Sequence, residues 1–180
     1  ESNASRGLGD VYKRQSMVAC GDADGAVTGN TRRFGASLEK IKQVVDVRKG
    51  EIMFGLNMIV HKGKTIFIGD TSVHEYPTSE EMANIAISAA RVVRLFGFNP
   101  KVAFVSHSTF GQPLTSRTKH IRSAVEILKD KKVDFEFDGD MQPDVALNAD
   151  YEELYPFAKI VGKANILIMP GQHSAAISYK

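Results

Sequence analysis

The chain has 180 residues and a net charge of only +2, and 43% of its residues are hydrophobic and 24% charged. This balance is ordinary for a globular protein and gives no electrostatic case for a nucleic acid or an anionic membrane as partner. No apolar run approaches the roughly 18 residues that a membrane-spanning helix needs. The single cysteine, Cys20, excludes an internal disulfide framework and a cysteine-rich zinc site. No secretory signal is visible, so we expect a cytoplasmic protein.

The first 16 residues show neither a helical nor a strand period, and polar and small side chains dominate them. The run Gly7–Gln15 resembles translated sequencing-adapter sequence, and the alternative is a disordered tail. Either interpretation excludes residues 1–16 from the folded part. At the other end, Ala175–Lys180 resembles a helix cut within its first turns. The sequence therefore predicts a partial domain over residues 17–180, truncated at both ends.

The first elements are a short buried segment with a glycine turn over residues 17–29, followed by a helix. The helix is predicted from Phe34 to about Val47, and Lys49-Gly50 ends it. One face of this helix carries Leu38, Ile41, Val44 and Val45. Two apolar, β-branched runs then predict a hairpin closed by a glycine turn. These runs are Met53–Val60 and Thr65–Ile68.

The second half of the chain alternates between helices and strands. Thr78 and Glu81 have capping-box spacing at the start of a helix predicted over Ser79–Phe96, which Gly97 ends. The next elements are a strand Val102–Ser106, a helix over about Arg117–Lys129, a strand Val133–Phe137, a helical turn over residues 150–155 and a strand Ile166–Met169. This alternation predicts an α/β domain with a largely parallel sheet, helices on both faces and one antiparallel hairpin.

A turn rich in glycine, Gly21–Gly29, precedes the first predicted helix. Asp22 and Asp24 suggest a metal site, but the further oxygen ligands and the terminal glutamate of a calcium loop are missing. The simpler interpretation is that these carboxylates shape a tight turn. The functional alternative is an anion-binding nest of N–H groups, hydroxyls and a guanidinium at the helix start. Its members would be Thr28, Gly29, Asn30, Thr31 and Arg32.

Polar residues also accompany three predicted strands. Ser106–Thr109 lies at the carboxyl end of its strand, the usual ligand edge of an open α/β sheet, although capping the next helix is the simpler role. Ser106 and His107 form no catalytic dyad, because adjacent strand residues point to opposite faces. Asp138–Asp140 follows the next strand and either orients a general base or caps a turn. Asn165 precedes the last strand and is placed to hydrogen-bond across the sheet.

Several kinds of site are excluded by spacing. The five histidines show no i, i+4 pairing and no ligand spacing, which argues against a histidine-based metal site. They are His61, His74, His107, His120 and His173. The phosphate loop of the Walker type and the glycine fingerprint of dinucleotide-binding folds are both absent.

Four segments, in this order, resemble the phosphate acetyl/butyryltransferase family. They are Gly21–Gly29, Val102–Thr109, Asp138–Leu147, and Ala164–Pro170 running into His173–Lys180. The ending His-Ser-Ala-Ala-Ile-Ser and the run Phe135–Gly139 are most similar to one subgroup, the transferase-like domain at the C-terminal end of large NADP-dependent malic enzymes. The resemblance covers roughly residues 18–180.

The resemblance implies a fold of two α/β lobes with a cleft between them, as in isocitrate and isopropylmalate dehydrogenases. It also implies a reaction, the transfer of an acyl group between phosphate and coenzyme A. It implies attack of the thiol on the acyl carbonyl, with a carboxylate as base and donors for the developing charge. No metal or tightly held cofactor is implied, and acetyl-CoA or CoA would be the ligand. The family's catalytic serine-arginine pair and base aspartate lie in a later segment, so no catalytic residue is assigned. Residues implied to line the pocket for acyl phosphate or CoA are Thr28, Gly29, Asn30, Thr31, Arg32, Ser106, Ser108, Asp138, Gly139 and Asn165.

Two functions remain at this point. In the first, the chain is part of the domain appended to a malic enzyme. That domain would sense acetyl-CoA and contact other subunits of a homo-oligomer. The NADP and malate sites would lie in malic-enzyme domains upstream of it. In the second, it is part of a working phosphate acetyltransferase that uses acetyl phosphate. Arg32-Arg33-Phe34, where transferases more often carry His-Thr-Thr-type residues, favours the first. A third hypothesis is that the chain is a non-catalytic interaction module, but no feature of the sequence specifically supports it.

Overall fold

The computed structural model describes residues 12–29 and 33–180. The chain divides into two units, Glu1–Lys49 and Gly50–Lys180. In the first unit, residues 12–19 are helical (α1). This helix includes residues 12–16, so the assignment of these positions to a tail is corrected. The prediction of a short buried segment over residues 17–29 is also wrong, because no side chain of these residues is buried. The buried side chain of this region is that of Gln15, in α1.

The second helix, α2 (Phe34–Lys42), is shorter than predicted. Its last turn closes when the N–H groups of Val44 and Val45 both donate to the Ile41 carbonyl, at 3.0 and 2.8 Å. The two valines therefore follow the helix instead of lining its face. At the other end, Arg33 supplies no side-chain cap and the first turn carries no acidic residue, so α2 depends on packing rather than on capping.

The second unit is built on a five-stranded sheet in the order β1-β2-β5-β3-β4. The strands are β1 (Leu56–His61), β2 (Lys64–Gly69), β3 (Lys101–Val105), β4 (Glu136–Met141) and β5 (Ile166–Ile168). Strand β1 is antiparallel to β2, and every other neighbouring pair is parallel. The predicted hairpin is confirmed, and its turn consists of Lys62 and Gly63, whose positive φ angles of 47° and 78° suit a tight two-residue connection.

Helices cover both faces of this sheet, as predicted. Helices α3 (Ser79–Leu95) and α4 (Ser116–Asp130) pack on one face. The other face is covered by α5 (Pro143–Leu147), a 3-10 helix (Ala149–Leu154) and α6 (Gln172–Ser178). The alternation of side chains along the strands supplies the two cores. Phe67, Val102, Phe104, Ile166 and Ile168 face α3 and α4, whereas Ile68, Ala103, Val105, Met141 and Leu167 face the other layer.

The capping box at the start of α3 is confirmed. Thr78 Oγ1 accepts the N–H of Glu81 at 3.2 Å, and a Glu81 carboxylate oxygen accepts the N–H of Thr78 at 2.7 Å. Gly97 follows the helix with a φ of 82°, which is the left-handed conformation expected at its end. A second box, with Thr115 and Thr118, opens α4.

Strand β4 (Glu136–Met141) begins three residues later and ends four residues later than the predicted strand Val133–Phe137. Asp138 and Gly139 do not follow the strand but belong to it, paired with Ala103 and Phe104 of β3. The Asp-Gly-Asp sequence is typical of a turn, but here Gly139 allows close approach of the neighbouring strand, since an added Cβ would lie 2.8 Å from Phe104 Cβ. Helix α5 was not predicted, although Pro143 at its first position is a known signal.

Candidate functional site

The carboxyl ends of the four parallel-oriented strands meet at one edge of the sheet. Asp70 directly follows β2, Ser106 directly follows β3, and Pro170 lies two residues beyond β5. Asp140 stands near the end of β4. This is the edge at which open α/β sheets commonly bind ligands.

Three polar side chains, those of Ser106, Ser108 and Asp140, form a buried hydrogen-bonded group at this edge. Ser108 Oγ donates a hydrogen bond to Asp140 Oδ2 and lies 3.1 Å from Ser106 Oγ. All three residues are buried, and Asp140 is fully inaccessible to solvent. The carbonyl of Asp140 also accepts the N–H of Phe110 at 2.7 Å, which ties the loop after β3 to β4. The sequence-predicted residues Ser106, Ser108 and the Asp138–Asp140 segment are therefore neighbours.

The second carboxylate oxygen of Asp140 is unusual. Among the described residues, Oδ1 has no hydrogen-bond partner although it is buried. The nearest cation is the guanidinium of Arg122, whose Nη1 lies 4.0 Å away. Arg122 occupies space that Gly111 leaves open, because an added Cβ there would lie 2.5 Å from Nη1. Leaving a buried carboxylate oxygen unpaired is costly, so this oxygen is an available acceptor for a donor group.

Sequence analysis missed the most heavily bonded carboxylate of this edge, Asp70. It is 2% exposed, and its two oxygens accept the N–H groups of Gly55, Ser72, Val73 and His74 at 2.7 to 3.1 Å. The ring nitrogen Nδ1 of His74 lies 2.7 Å from Oδ2. A carboxylate surrounded by backbone donors holds a loop in one shape. The available signal was an aspartate placed directly after the apolar run of β2.

Two adjoining cavities open on this side of the sheet. The smaller, of about 200 Å³, is lined by Glu75, Tyr76, Arg117, Pro170, Gly171, His173 and Ser174. The larger, of about 410 Å³, shares Tyr76 and Arg117 and is completed by Pro77, Thr78, Ser116 and His120. The guanidinium of Arg117 lies 5.5 Å from the centroid of the Tyr76 ring. The guanidinium of Arg117 suits an anionic group, and the flat pair of guanidinium and ring suits a planar part of a ligand. Hydroxyl side chains line the same cavities.

The glycine turn belongs to the first unit. Thr28 lines a cavity of about 170 Å³ there, with Arg14, Gln15, Val18, Ala26, Ile41 and Val45. Gly29, the next residue after Thr28, has a positive φ of 145°. Asn30, Thr31 and Arg32 lie outside the described residues. The expected convergence of this turn with the residues after β3 and in β4 therefore stays a prediction.

Asn165 is not at the ligand edge, and its assignment to the pocket is corrected. It precedes β5, so it lies at the amino ends of the parallel strands. Its Oδ1 accepts the N–H of Lys101 at 2.8 Å, and its Nδ2 donates to the carbonyl of Asn99 at 2.8 Å. The predicted hydrogen bonding across the sheet is confirmed. Because Lys101 and Ser106 occupy opposite ends of β3, Asn165 lies about 16 Å from the serines at a strand rise of about 3.3 Å per residue.

Asp138 has a structural role. Its Oδ1 accepts the N–H of Gly139 at 2.9 Å, and its Oδ2 accepts the N–H of Lys159 at 3.0 Å. The carboxylate thus joins β4 to the loop before β5, and both oxygens are occupied. Within residues 12–29 and 33–180, no three His, Cys, Asp or Glu side chains are grouped as metal ligands. None of the described helices is long and apolar enough to span a membrane.

Comparisons with known proteins agree with this architecture. A sequence model of the family described as phosphate acetyl/butaryl transferase matches residues 8–180. The match begins inside the segment that sequence analysis assigned to a tail. The chain is 48% identical over 165 residues to an NADP-dependent malic enzyme of Rhizobium meliloti (strain 1021), covering 92% of this chain and 22% of that protein. It is 30% identical over 166 residues to a phosphate acetyltransferase of Buchnera aphidicola subsp. Schizaphis graminum, covering 91% and 23%.

Solved structures give the same result. A phosphotransacetylase from Streptococcus pyogenes superposes with a TM-score of 0.86 at 26% identity, over 93% of this chain and 52% of that one. The EutD phosphotransacetylase from Staphylococcus aureus gives 0.82 at 26% identity, over 94% and 53%. The chain thus spans about a fifth of the length of these curated relatives and about half of the solved chains. The resemblance predicted from the four motifs is confirmed.

Proposed function

This chain belongs to the phosphate acetyl/butyryltransferase family, and on that premise we propose that it is the transferase-like part of a malic enzyme that binds acetyl-CoA. In this proposal acetyl-CoA is an allosteric effector, and the domain also mediates oligomerisation. The substrates and reaction of the whole parent protein are part of the same proposal, because the chain spans 22% of its malic-enzyme relative.

The observation that carries the proposal is the buried group of Ser106, Ser108 and Asp140 at the carboxyl edge of the sheet. Hydroxyls held by a buried carboxylate are fixed in position, and fixed dipoles bind an acyl or phosphoryl oxygen without the cost of ordering. Two separate strands, β3 and β4, must be in register for this group to form. A folded domain therefore presents it and an unfolded chain does not.

The cavities beside Arg117 support binding of the nucleotide portion of the ligand. CoA carries phosphate groups and a planar base, and Arg117 stacked on Tyr76 offers a positive charge and a flat surface. His120 and His173 line the same pair of cavities. Glu75, whose Oε1 lies 3.9 Å from His173 Nε2, moderates the positive charge. We propose no metal or tightly held cofactor for this domain.

A working phosphate acetyltransferase is the second candidate. It is favoured by the 30% identity to a phosphate acetyltransferase and by the close superposition on phosphotransacetylases. In this alternative the domain would transfer an acetyl group between acetyl phosphate and coenzyme A. Arsenate-dependent loss of acetyl-CoA, measured with the full-length parent protein, separates the two candidates, because only a working transferase catalyses it. We expect none from the 180-residue chain, and measurable turnover would overturn that expectation.

The test of binding is isothermal calorimetry of the 180-residue chain with acetyl-CoA. Ser108→Ala removes a hydroxyl of the buried group, and the matched control Ser123→Ala removes an exposed hydroxyl that bonds only to its own helix. We expect binding by the wild type and the control and weaker binding by Ser108→Ala. Absence of heat from the wild type, or equal affinity in all three proteins, contradicts the proposal. Circular dichroism shows whether the variants are folded.

Three finer expectations belong to this proposal. The two-lobed arrangement of isocitrate and isopropylmalate dehydrogenases is expected for the parent domain, as is a cleft between the lobes. Acetyl phosphate and upstream malic-enzyme domains are the expected partners besides acetyl-CoA. The cytoplasmic location expected from the sequence stays a prediction.

A further inference from the structure

We propose that Ser106 recognises the acyl part of the ligand, through a hydrogen bond from its hydroxyl to the carbonyl oxygen of the thioester. This inference rests on the acetyl-CoA binding proposed above and narrows it. The buried group of Ser106, Ser108 and Asp140 then selects an uncharged acyl oxygen, and the phosphoryl oxygens of the same ligand bind elsewhere.

Hydrogen counting separates the two serines. A serine hydroxyl has one hydrogen to donate and two lone pairs that accept. Ser108 Oγ donates its hydrogen to Asp140 Oδ2, so none is left for a ligand. The contact of 3.1 Å between the two hydroxyl oxygens is therefore a bond donated by Ser106. Within this group of three side chains, the hydrogen that a ligand can take is that of Ser106.

The hydrogen of Ser106 is also the more weakly held of the two. Bonds of the O–H···O type in proteins are about 2.5–3.0 Å long, and the bond from Ser106 to Ser108 is longer, at 3.1 Å. It joins two neutral hydroxyls, whereas the hydrogen of Ser108 is bound to a carboxylate, and a charged partner makes a hydrogen bond stronger. A ligand oxygen can replace the weaker bond by rotation of one hydroxyl, without movement of the backbone.

The position of Ser106 is fixed by the backbone around it. Its N–H donates to the carbonyl of Met141 at 2.9 Å, and its Oγ accepts the N–H of Ser108 at 3.3 Å. The N–H of Phe110 donates to the carbonyl of Asp140 at 2.7 Å, so the loop is held to β4 on both sides of Ser108. Ser106 is 5% exposed, whereas Ser108 and Asp140 are 0% exposed. A hydroxyl fixed in this way binds an acceptor without the cost of ordering.

The charge behind Ser106 decides between the two kinds of ligand oxygen. Asp140 is a buried carboxylate, and the guanidinium of Arg122 lies 4.0 Å from its Oδ1, beyond hydrogen-bond distance. A phosphoryl oxygen at Ser106 would bring a second negative charge toward this carboxylate in a poorly solvated place, which is unfavourable. The carbonyl oxygen of a thioester carries no net charge and avoids this cost. Phosphate groups of the same ligand are better placed at Arg117 and the cavities beside it.

The first test compares acetyl-CoA with ethyl-CoA, a thioether in which a methylene group replaces the carbonyl group, by isothermal calorimetry of the 180-residue chain. The two ligands carry the same phosphates and the same base. We expect the wild type to bind acetyl-CoA about three- to tenfold more tightly than ethyl-CoA, which is the effect of one hydrogen bond. Ser106→Ala should bind both ligands with the affinity that the wild type shows for ethyl-CoA. The control Ser123→Ala should keep the wild-type ratio.

Two outcomes of this comparison overturn the role of Ser106 and leave acetyl-CoA binding in place. One is a wild type that binds both ligands equally. The other is a Ser106→Ala variant that keeps the wild-type ratio, because an equal loss for both ligands means that Ser106 is structural or meets a phosphate. A wild type that binds neither ligand overturns both this inference and the proposed function, so the two failures are distinguishable.

The second test does not require Ser106→Ala to fold. Ser106→Cys keeps a side chain of similar shape, but its thiol is a weak donor. The infrared band of an isotopically labelled acetyl carbonyl group moves to lower wavenumber when the oxygen accepts a hydrogen bond. We expect the band of bound acetyl-CoA to lie at lower wavenumber in the wild type and Ser123→Ala than in Ser106→Cys. Equal band positions in all three proteins overturn the proposal.

Discussion

Ser108 donates its hydroxyl hydrogen to the fully buried carboxylate of Asp140, although 32 positions separate the two residues in the chain. The bond joins the loop after β3 to the end of β4. It gives Asp140 Oδ2 a partner and leaves Oδ1 without one among the described residues. The stability of the carboxyl edge therefore depends on this hydroxyl.

Ser108→Ala is expected to lower the free energy of unfolding by about 1–3 kcal/mol, because both oxygens of a buried carboxylate then lack a hydrogen bond. Urea denaturation followed by circular dichroism measures the change. Ser123→Ala, which removes an exposed hydroxyl on α4, is the control and should lie within about 0.5 kcal/mol of the wild type. Equal stability of the two variants would show that the Ser108–Asp140 bond contributes nothing.

Asp70→Asn is expected to destabilise the second unit by about 2–4 kcal/mol. The amide keeps one acceptor oxygen but turns an NH₂ donor toward backbone N–H groups that need an acceptor, and hydrogen bonds to a charged group are lost. The exposed Asp130 at the end of α4 provides the control Asp130→Asn. Thermal unfolding of both variants measures the difference. A melting temperature for Asp70→Asn that matches the control would contradict the structural role of Asp70.

The capping box of α3 makes a pH-dependent contribution. The backbone N–H of Thr78 is the main cause that holds the pKa of Glu81 below its ordinary value, against an opposing effect of partial burial. A carboxyl whose pKa is lowered in the folded state stabilises the fold above its unfolded pKa. The contribution is lost as the pH falls through the folded pKa.

We therefore expect Glu81→Gln to be less stable than the wild type at neutral pH, by about 0.5–1 kcal/mol. The difference should shrink as the pH falls through the lowered pKa of the wild-type Glu81 carboxyl, which then takes up its proton. Urea midpoints measured across this range give the result. Glu80→Gln, on the exposed side of the same first turn, is the control. A stability difference that does not change with pH would show that the charge of Glu81 has no role in the cap.

Gly139→Ala is expected to destabilise the protein by about 1–3 kcal/mol, since the new methyl group would lie 2.8 Å from both Cβ and the carbonyl oxygen of Phe104. The φ of 149° adds backbone strain for any residue with a side chain. Gly35→Ala, where an added Cβ meets no atom within 4 Å, is the control and should be neutral or slightly stabilising. A tolerated Gly139→Ala would mean that β3 and β4 can move apart.

The regular elements were largely predictable from local signals. The capping box at Thr78 and Glu81, the turn at Lys62-Gly63 and the apolar stripes of α3 and α4 depend on residues a few positions apart. The misplaced β4 shows the limit of such signals. Asp138 and Gly139 have low intrinsic strand preference, and only their pairing with β3 places them in a strand.

The sequence by itself determined the α/β class, the family and three polar positions of the ligand edge, because periodicity, caps and ordered motifs are local properties of the chain. Tertiary structure alone decided that Asp70 is the bonded centre of a loop and that Asn165 lies at the opposite edge. It also decided that Asp140 Oδ1 has no hydrogen-bond partner within the part of the chain that the structure describes. These outcomes depend on which strands become neighbours and in which register. Such contacts join residues distant in sequence, and no local pattern encodes them.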